Sequence, residues 1–376
     1  ETGSETPLHT TLTQGALGEQ IRSSPDSPLP EGEGQGVRAK PFTTENQLDF
    51  VLTMLEDRGL VGWDRRSNRY DLHPITRGVT WNALDADAKR AVYTTLETHF
   101  QTMPAVDQDA VTSLDDLTGA IELYHTLIGL EHYDDARIVF QDRLRNATLY
   151  RLSSSRQRVE LLTALFPAGV DAPPKLTKTS DQAWTLNELA HGYQLSGQPG
   201  RAAPFYRRNV ALRKTEARGN PIPALTNLAD ALRQSGGVRA GEAAARRALV
   251  SARERGDEFG EAVSLYWLGL LQGARGADGM TALRRSLRLW IAQSNTQSEG
   301  VVNAYLAGVL IGRGDFAAAR PYAERAWKLA HDQRYERDFI RAACRQGQAA
   351  LGLGDFASAD ERLHHALTRA RGINYA

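Results

Sequence analysis

Nine histidines and one cysteine, Cys344, are the side chains best suited to hold a metal or attack a substrate. Their spacing suits neither task. Only His364 and His365 are neighbours, and consecutive residues on a helix point apart, so the two cannot share an ion. The sequence contains no His-Glu-x-x-His pair, no Gly-x-Ser-x-Gly elbow and no second cysteine. Zinc-protease, serine-hydrolase and disulfide chemistry are thereby set aside. A phosphate cradle needs Gly-x-x-x-x-Gly-Lys-Ser/Thr, and the glycine-rich stretch Gly32–Lys40 lacks the Gly-Lys pair. Asn146-Ala147-Thr148 fits a glycosylation acceptor, but no secretory signal accompanies it. The expectation is a protein with no catalytic residues, no metal and no cofactor, whose work is binding.

The bulk numbers agree with a binding protein and point to no charged polymer. Lys plus Arg equals Asp plus Glu at 45 each, and 41% of the 376 residues are hydrophobic. The balance hides an asymmetry. From Asp181 onward there are 27 basic and 19 acidic residues, leaving 18 and 26 in residues 1–180. The basic half is rich in Arg, whose usual place is a solvated outer helix face. No apolar run approaches the roughly 18 residues that span a membrane, so a cytoplasmic protein is expected.

Four regions follow along the chain. Residues 1–41 are dense in Gly, Pro, Ser and Thr, too polar to offset their ordering entropy, and read as a linker or leader. In residues 42–104, Thr44 can cap a helix carrying Leu48, Val51, Leu52 and Leu55 at helical spacing, and Gly59 can end it. Leu60–Trp63 and Tyr70–Pro74 then flank a polar turn, as in a short hairpin, and a second helix is expected at about Ala86–Gln101. Residues 105–180 read as a degenerate helical region, and 181–376 as a repeat array.

The repeat decides the fold. Gly314-Asp315-Phe316-Ala317 recurs 40 residues later as Gly354-Asp355-Phe356-Ala357, and Gly276, Gly236 and Gly197 step back by 38, 40 and 39. Small residues recur before each glycine (Ala190, Ala229, Gly269, Ala307, Gly347) and after it (Ala202, Gly241, Ala319, Ala359). Small side chains let helix axes approach to the lower end of the usual 8–10 Å. Each repeat is therefore a helix, a tight turn at the glycine, and a second antiparallel helix. The copy at Gly269–Leu289 departs from the pattern, since its turn, Arg275–Gly279, reads as about two residues short.

These positions resemble the tetratricopeptide repeat in a form of about 40 residues, over roughly Asp181–Gly372. A degenerate member is expected at Leu117–Arg145, centred on Tyr133-Asp134-Asp135-Ala136 with Phe140. The resemblance implies an all-α, right-handed superhelix of about six helix pairs, with a small winged-helix-like unit before it. A second resemblance rests on Lys40-Pro41-Phe42, Met54–Leu60 and Tyr70–Arg77. Together they look like the end of the winged-helix domain in signal-transducing ATPases with numerous domains (STAND), where it precedes a repeat sensor. That family implies a nucleotide-binding module missing from this chain. It also implies that His73, which an imidazole suits at neutral pH, reaches the phosphate of bound ADP in an intact parent. Within this chain His73 has no nucleotide to touch. The plain alternative is a histidine that ends a strand before Pro74.

In tetratricopeptide arrays the first helix of each pair lines a concave groove. Carried onto this sequence, the family's inward positions are Trp184, Asn187 and His191, then Asn227, Asp230 and Arg233, then Tyr266 and Trp267, Tyr305, and finally Arg341 and Arg345. Asn227 matches the family's peptide-backbone asparagine. Asn pairs with both N–H and C=O of an extended peptide, aromatics supply contact area, and Arg clamps carboxylates. Trp267 and Trp184 read equally as packing between repeats. The expected partner is a protein or peptide, sensed on behalf of a STAND-type ATPase whose motor lies outside the chain. The alternative is a stand-alone scaffold or peptide-responsive regulator. Nucleic acid is disfavoured because the winged-helix half is net acidic and phosphate contacts need Lys and Arg.

Overall fold

The structure, a computed structural model, describes residues 12–13, 45–64, 69–215, 219–333 and 336–372. The chain divides into two compact units, Glu1–Leu144 and Arg145–Ala376. The leader expected at 1–41 lies outside the described residues except for β1 (Leu12–Thr13).

In the first unit, α1 (Glu45–Asp57) ends where Gly59 turns left-handed at φ +67°. Leu60 N–H then reaches back to the Leu55 carbonyl at 2.9 Å, as in a glycine-terminated helix. A hairpin follows, β2 (Val61–Asp64) against β3 (Arg69–Leu72), with β1 on the outer edge of β3. Leu48, Leu52 and Val61 bury beneath it, so the helical spacing of the sequence does face a core. One helix was not anticipated: α2 (Pro74–Ala83) precedes α3 (Ala86–Thr102). Proline supplies the ready-made φ of a first helical turn, and His73 supplies the cap.

The unit closes with α4 (Thr118–Gly129) and α5 (Tyr133–Val139), the latter continued by a π-helical turn over Phe140–Leu144. This is the degenerate pair expected at Leu117–Arg145. Its three-residue turn has the geometry of the later repeats, with His132 N–H donating to Leu127 at 2.9 Å. Glu131, not glycine, takes the left-handed position at φ +61°.

The second unit starts with a π-helical turn at Ala147–Arg151 and α6 (Ser155–Thr163). Five helix pairs follow: α7 (Thr179–Leu195) with α8 (Pro199–Thr215), α9 (Ile222–Gln234) with α10 (Val238–Arg255), and α11 (Glu258–Ala274) with α12 (Met280–Ala292). The last two are α13 (Thr296–Gly312) with α14 (Phe316–Gln333), and α15 (Glu336–Gly352) with α16 (Phe356–Gly372).

The Gly-Asp motif explains itself here. Gly314 and Gly354 both sit at φ +79°, where a Cβ would be strained. The aspartate after each donates its backbone N–H to a carbonyl five residues back at 3.0 Å. Its side chain then caps the next helix, Asp315 accepting from Ala318 N–H and Asp355 from Ser358 N–H. Between the pairs, Asp257 and Asn295 cap α11 and α13 in the same way.

The small residues lie where the sequence required them, with Ala190, Ala202, Ala229, Ala307 and Ala319 all fully buried. The departing third copy is resolved in the opposite sense to expectation. Five residues, 275–279, separate α11 from α12, where the other four pairs have three. The turn is longer and the second helix shorter, at 13 residues. The reason is a glycine crossing: a Cβ on Gly279 would stand 2.0 Å from the Gly269 carbonyl oxygen. Met280 can begin α12 only after that approach is complete.

Successive first helices touch directly: α7 with α9, α9 with α11, α11 with α13, and α13 with α15. No comparable contact joins successive second helices among the described residues. An array whose first helices are closer together curves toward them, so α7, α9, α11, α13 and α15 form the inner face of an all-α superhelical array. Among the described residues no helix is long and apolar enough to cross a membrane.

Candidate functional site

The inner face carries a continuous series of polar and aromatic side chains passed from one first helix to the next. On α7, Trp184, Asn187 and His191 are half-buried. Asn227 on α9 donates from Nδ2 to Asn187 Oδ1 at 3.1 Å, so the two asparagines pair across adjacent repeats. Gln194 donates from Nε2 to Asp230 Oδ2 at 2.6 Å and accepts from Tyr206 Oη at 3.0 Å. Asp230 also receives Arg233 at 2.8 Å and Gln234 at 2.9 Å. Burial raises the Asp230 carboxyl above the ordinary aspartate value, and Arg233 opposes that rise.

Farther along, Arg233 lies over the Trp267 ring at 5.8 Å. Trp267, Tyr266 and Tyr305 form a cluster with ring centres 4.8, 5.6 and 5.8 Å apart. Trp267 is the most enclosed of the three, only 8% exposed, so it packs as core on one side. Burial pushes both phenols up from their ordinary value. On α15, Arg341 lies over Tyr305 at 5.3 Å and pairs with Asp338 at 2.9 Å. Arg345 is half-buried one turn farther on. Of the residues anticipated for the groove, Asn187 thus pairs with Asn227, and Asp230, Arg233, Trp267, Tyr266, Tyr305 and Arg341 form one chain of contacts.

Two features of this face escaped the sequence reading. The first is a buried charge cluster at its beginning. Arg158 on α6 is fully buried and donates to Glu188 Oε2 at 2.5 Å, to the Arg145 carbonyl at 2.9 Å and to Thr148 Oγ1 at 3.0 Å. Arg145 reaches the same carboxylate at 3.3 Å. Burial alone would raise Glu188, but Arg158 and Arg145 outweigh it and leave the carboxyl lowered. His191 faces this cluster. Burial and the charges of Arg158, Arg337 and Arg145 take its pKa down to about 4 against the pull of Glu188, so the ring is neutral at pH 7. The second is that Arg337, on α15, reaches Ser153 Oγ at 3.4 Å across 184 residues of sequence. Arg158 lies outside the phased repeats, so no spacing marked it. The one sequence signal was Glu188, an acid between the inward positions Asn187 and His191.

His73, in the first unit, is an N-cap. Its Nδ1 accepts from Ile75 N–H at 3.4 Å, and Arg77 pairs with Asp71 beside it. It does more than end a strand, because it starts α2. Among the described residues no group of three or more His, Cys, Asp or Glu could hold a metal.

No protein-family model matches the chain, and no curated protein matches it significantly. Several solved structures are similar to the chain. The crystal structure of BtubC (BKLC) from P. vanneervenii is 16% identical, covering 60% of this chain and 91% of that one, with a TM-score of 0.43. A STAND protein with a tetratricopeptide repeat sensor from Pyrococcus horikoshii is 16% identical over 86% of this chain and 52% of its own, with a TM-score of 0.42. Aspartyl phosphate phosphatase F from Bacillus subtilis is 11% identical over 78% and 76%, with a TM-score of 0.46. At TM-scores below 0.5 none of these likenesses bears on function.

Proposed function

We propose that the array is a ligand sensor, which takes a peptide or a protein segment along its inner face. The observation that supports this most is the aromatic and arginine set of Arg233, Tyr266, Tyr305 and Arg341. It is half-buried on four consecutive first helices without being closed off as core. Aromatic and arginine side chains of this kind concentrate binding energy in protein interfaces. The paired Asn187 and Asn227 supply the amide groups that an extended backbone needs.

The resemblance of Tyr70–Arg77 to the winged-helix end of STAND ATPases extends the proposal. In such a parent, ligand binding on the array would be passed to a nucleotide-binding module outside this chain, with His73 next to the nucleotide phosphate. Calorimetry of this chain with ATP and Mg²⁺ should then give no binding, for want of a phosphate-binding loop. Micromolar affinity would contradict that part. The groove itself is tested by placing a photo-crosslinking amino acid at Tyr305, and as a control at Arg247, an exposed residue of α10. Capture of one defined ligand from Tyr305 and not from Arg247 is the expected result. Capture from Arg247 alone would move the site to the outer face.

A further inference from the structure

The last two helix pairs repeat at a spacing of 40 residues, so α13 and α14 are an internal standard for α15 and α16. Ile311 packs against the core of its own pair, whereas its counterpart Leu351 is 51% exposed. Phe316 lies on Gly352 of the following first helix, where a Cβ would collide with the ring. Its counterpart Phe356 is 71% exposed. Trp327 is covered by Phe339 of α15, ring centres 6.0 Å apart, and by Arg362 of α16 at 5.3 Å. Its counterpart Leu367 is 47% exposed. The three differences have one cause. Among the described residues, no helix pair covers α16 as α15 and α16 cover α14. Terminal repeats of such arrays ordinarily present a polar outer face. α16 instead presents Phe356 and Leu367, three helical turns apart on one strip.

We infer that this face is a self-association surface, covered by α16 of a second copy of the chain running antiparallel. Beside Phe356 and Leu367 the helix exposes Ala357, Asp360, His364 and Thr368, which line an open groove. A two-fold axis at Arg362 reverses the order of these residues in the second copy. Phe356 then meets Leu367, Asp360 meets His364 and Ala357 meets Thr368, each contact made twice. The aromatic ring and the leucine bury each other, the small pair permits close approach of the two helices, and a carboxylate faces an imidazole. A parallel second copy would set Asp360 against Asp360, and like charges across an interface disfavour it. The order of charges along α16 therefore selects its own antiparallel image. The inference is independent of the groove reading, because α16 is a second helix and the groove is built from first helices.

Sedimentation of the full chain over a dilution series should show a monomer–dimer equilibrium. Phe356→Asp, at an exposed position that supports no core, should raise the dimer dissociation constant at least tenfold. Asp360→Arg and His364→Asp should each weaken the dimer as well, because each sets like charges opposite one another twice. Mixing those two variants should restore it, since both contacts of the mixed pair are then opposite in charge. Circular dichroism of the three variants, matched to the wild type, separates loss of the dimer from loss of the fold. A chain that stays monomeric at every concentration overturns the inference, and so does a dimer indifferent to Phe356→Asp. A mixture that remains monomeric while both of its components are impaired also overturns it, and would leave the face to a helix of another protein.

Discussion

At the α6–α9 end of the inner face, Arg158, Arg145, Glu188, Asp230 and Arg233 are matched to one another, and the carboxylates of Glu188 and Asp230 each take two or more donors. At the α13–α15 end, Tyr305, Arg341 and Arg345 include half-buried aromatic surface and one cation with no acid. Both ends are polar, but at the first each carboxylate is shared by several donors, while at the second Arg345 hydrogen-bonds to Gln348 alone among the described residues. The lesson is that inward position alone does not make a binding residue. A carboxylate already shared among buried cations within the chain holds the fold.

The sharpest way to break this comparison is at its matched end. Glu188→Gln removes the counter-charge of a fully buried arginine, and losing one partner of a buried pair costs about 3–5 kcal/mol. Denaturant unfolding measures it, and a loss under 1 kcal/mol would show that the cluster is not what holds α6 to α7. Acid comes next. His191 takes up its proton near pH 6.5 when unfolded but at about 4 in the fold. Between those values the unfolded state binds more protons, so stability falls as pH drops, by up to about 3 kcal/mol. His191→Asn should flatten that slope; an unaltered slope would assign the acid sensitivity elsewhere.

A third prediction tests the register that places Tyr305 and Arg341 on one face. Ala319 is fully buried where α14 crosses α13, and Ala319→Leu should cost about 1–3 kcal/mol by overpacking. An unchanged melt would mean the pair is assembled differently. The smallest effect is expected at the unmatched end. Asp338→Asn removes a partly exposed partner of Arg341 and should cost no more than about 1 kcal/mol. A loss as large as that of Glu188→Gln would erase the difference between the two ends.

Much of the array was legible because its causes are local. A left-handed turn demands glycine, a close crossing demands Ala or Gly, and a following aspartate caps the next helix, so Gly314-Asp315 and Gly354-Asp355 state the fold in two residues. The same logic failed where other residues do the work. Glu131 takes a backbone conformation reserved mostly for glycine, which hid the Leu130–His132 turn from a glycine search. The start of α2 was written as His73-Pro74, a cap and a first-turn proline, but it was read as the end of a strand. The Arg275–Gly279 turn looked short because the glycine spacing fell to 38, when the shortening lies in α12. Among the site residues, helical spacing gave the face but not the pairing. Arg158 and Glu188 are 30 residues apart, and nothing periodic relates them.

The account stands on the claim that the aromatic and arginine end of the inner face receives the ligand. Its most direct test is calorimetry of the ligand captured from Tyr305 against three variants. Tyr305→Ala should weaken binding by about 2 kcal/mol, as expected of a hot spot. Asn227→Ala should weaken it about tenfold, or 1.4 kcal/mol. Arg247→Ala on the outer face of α10 should leave it unchanged. Equal affinities for all three, or a larger loss from Arg247→Ala, would contradict the claim.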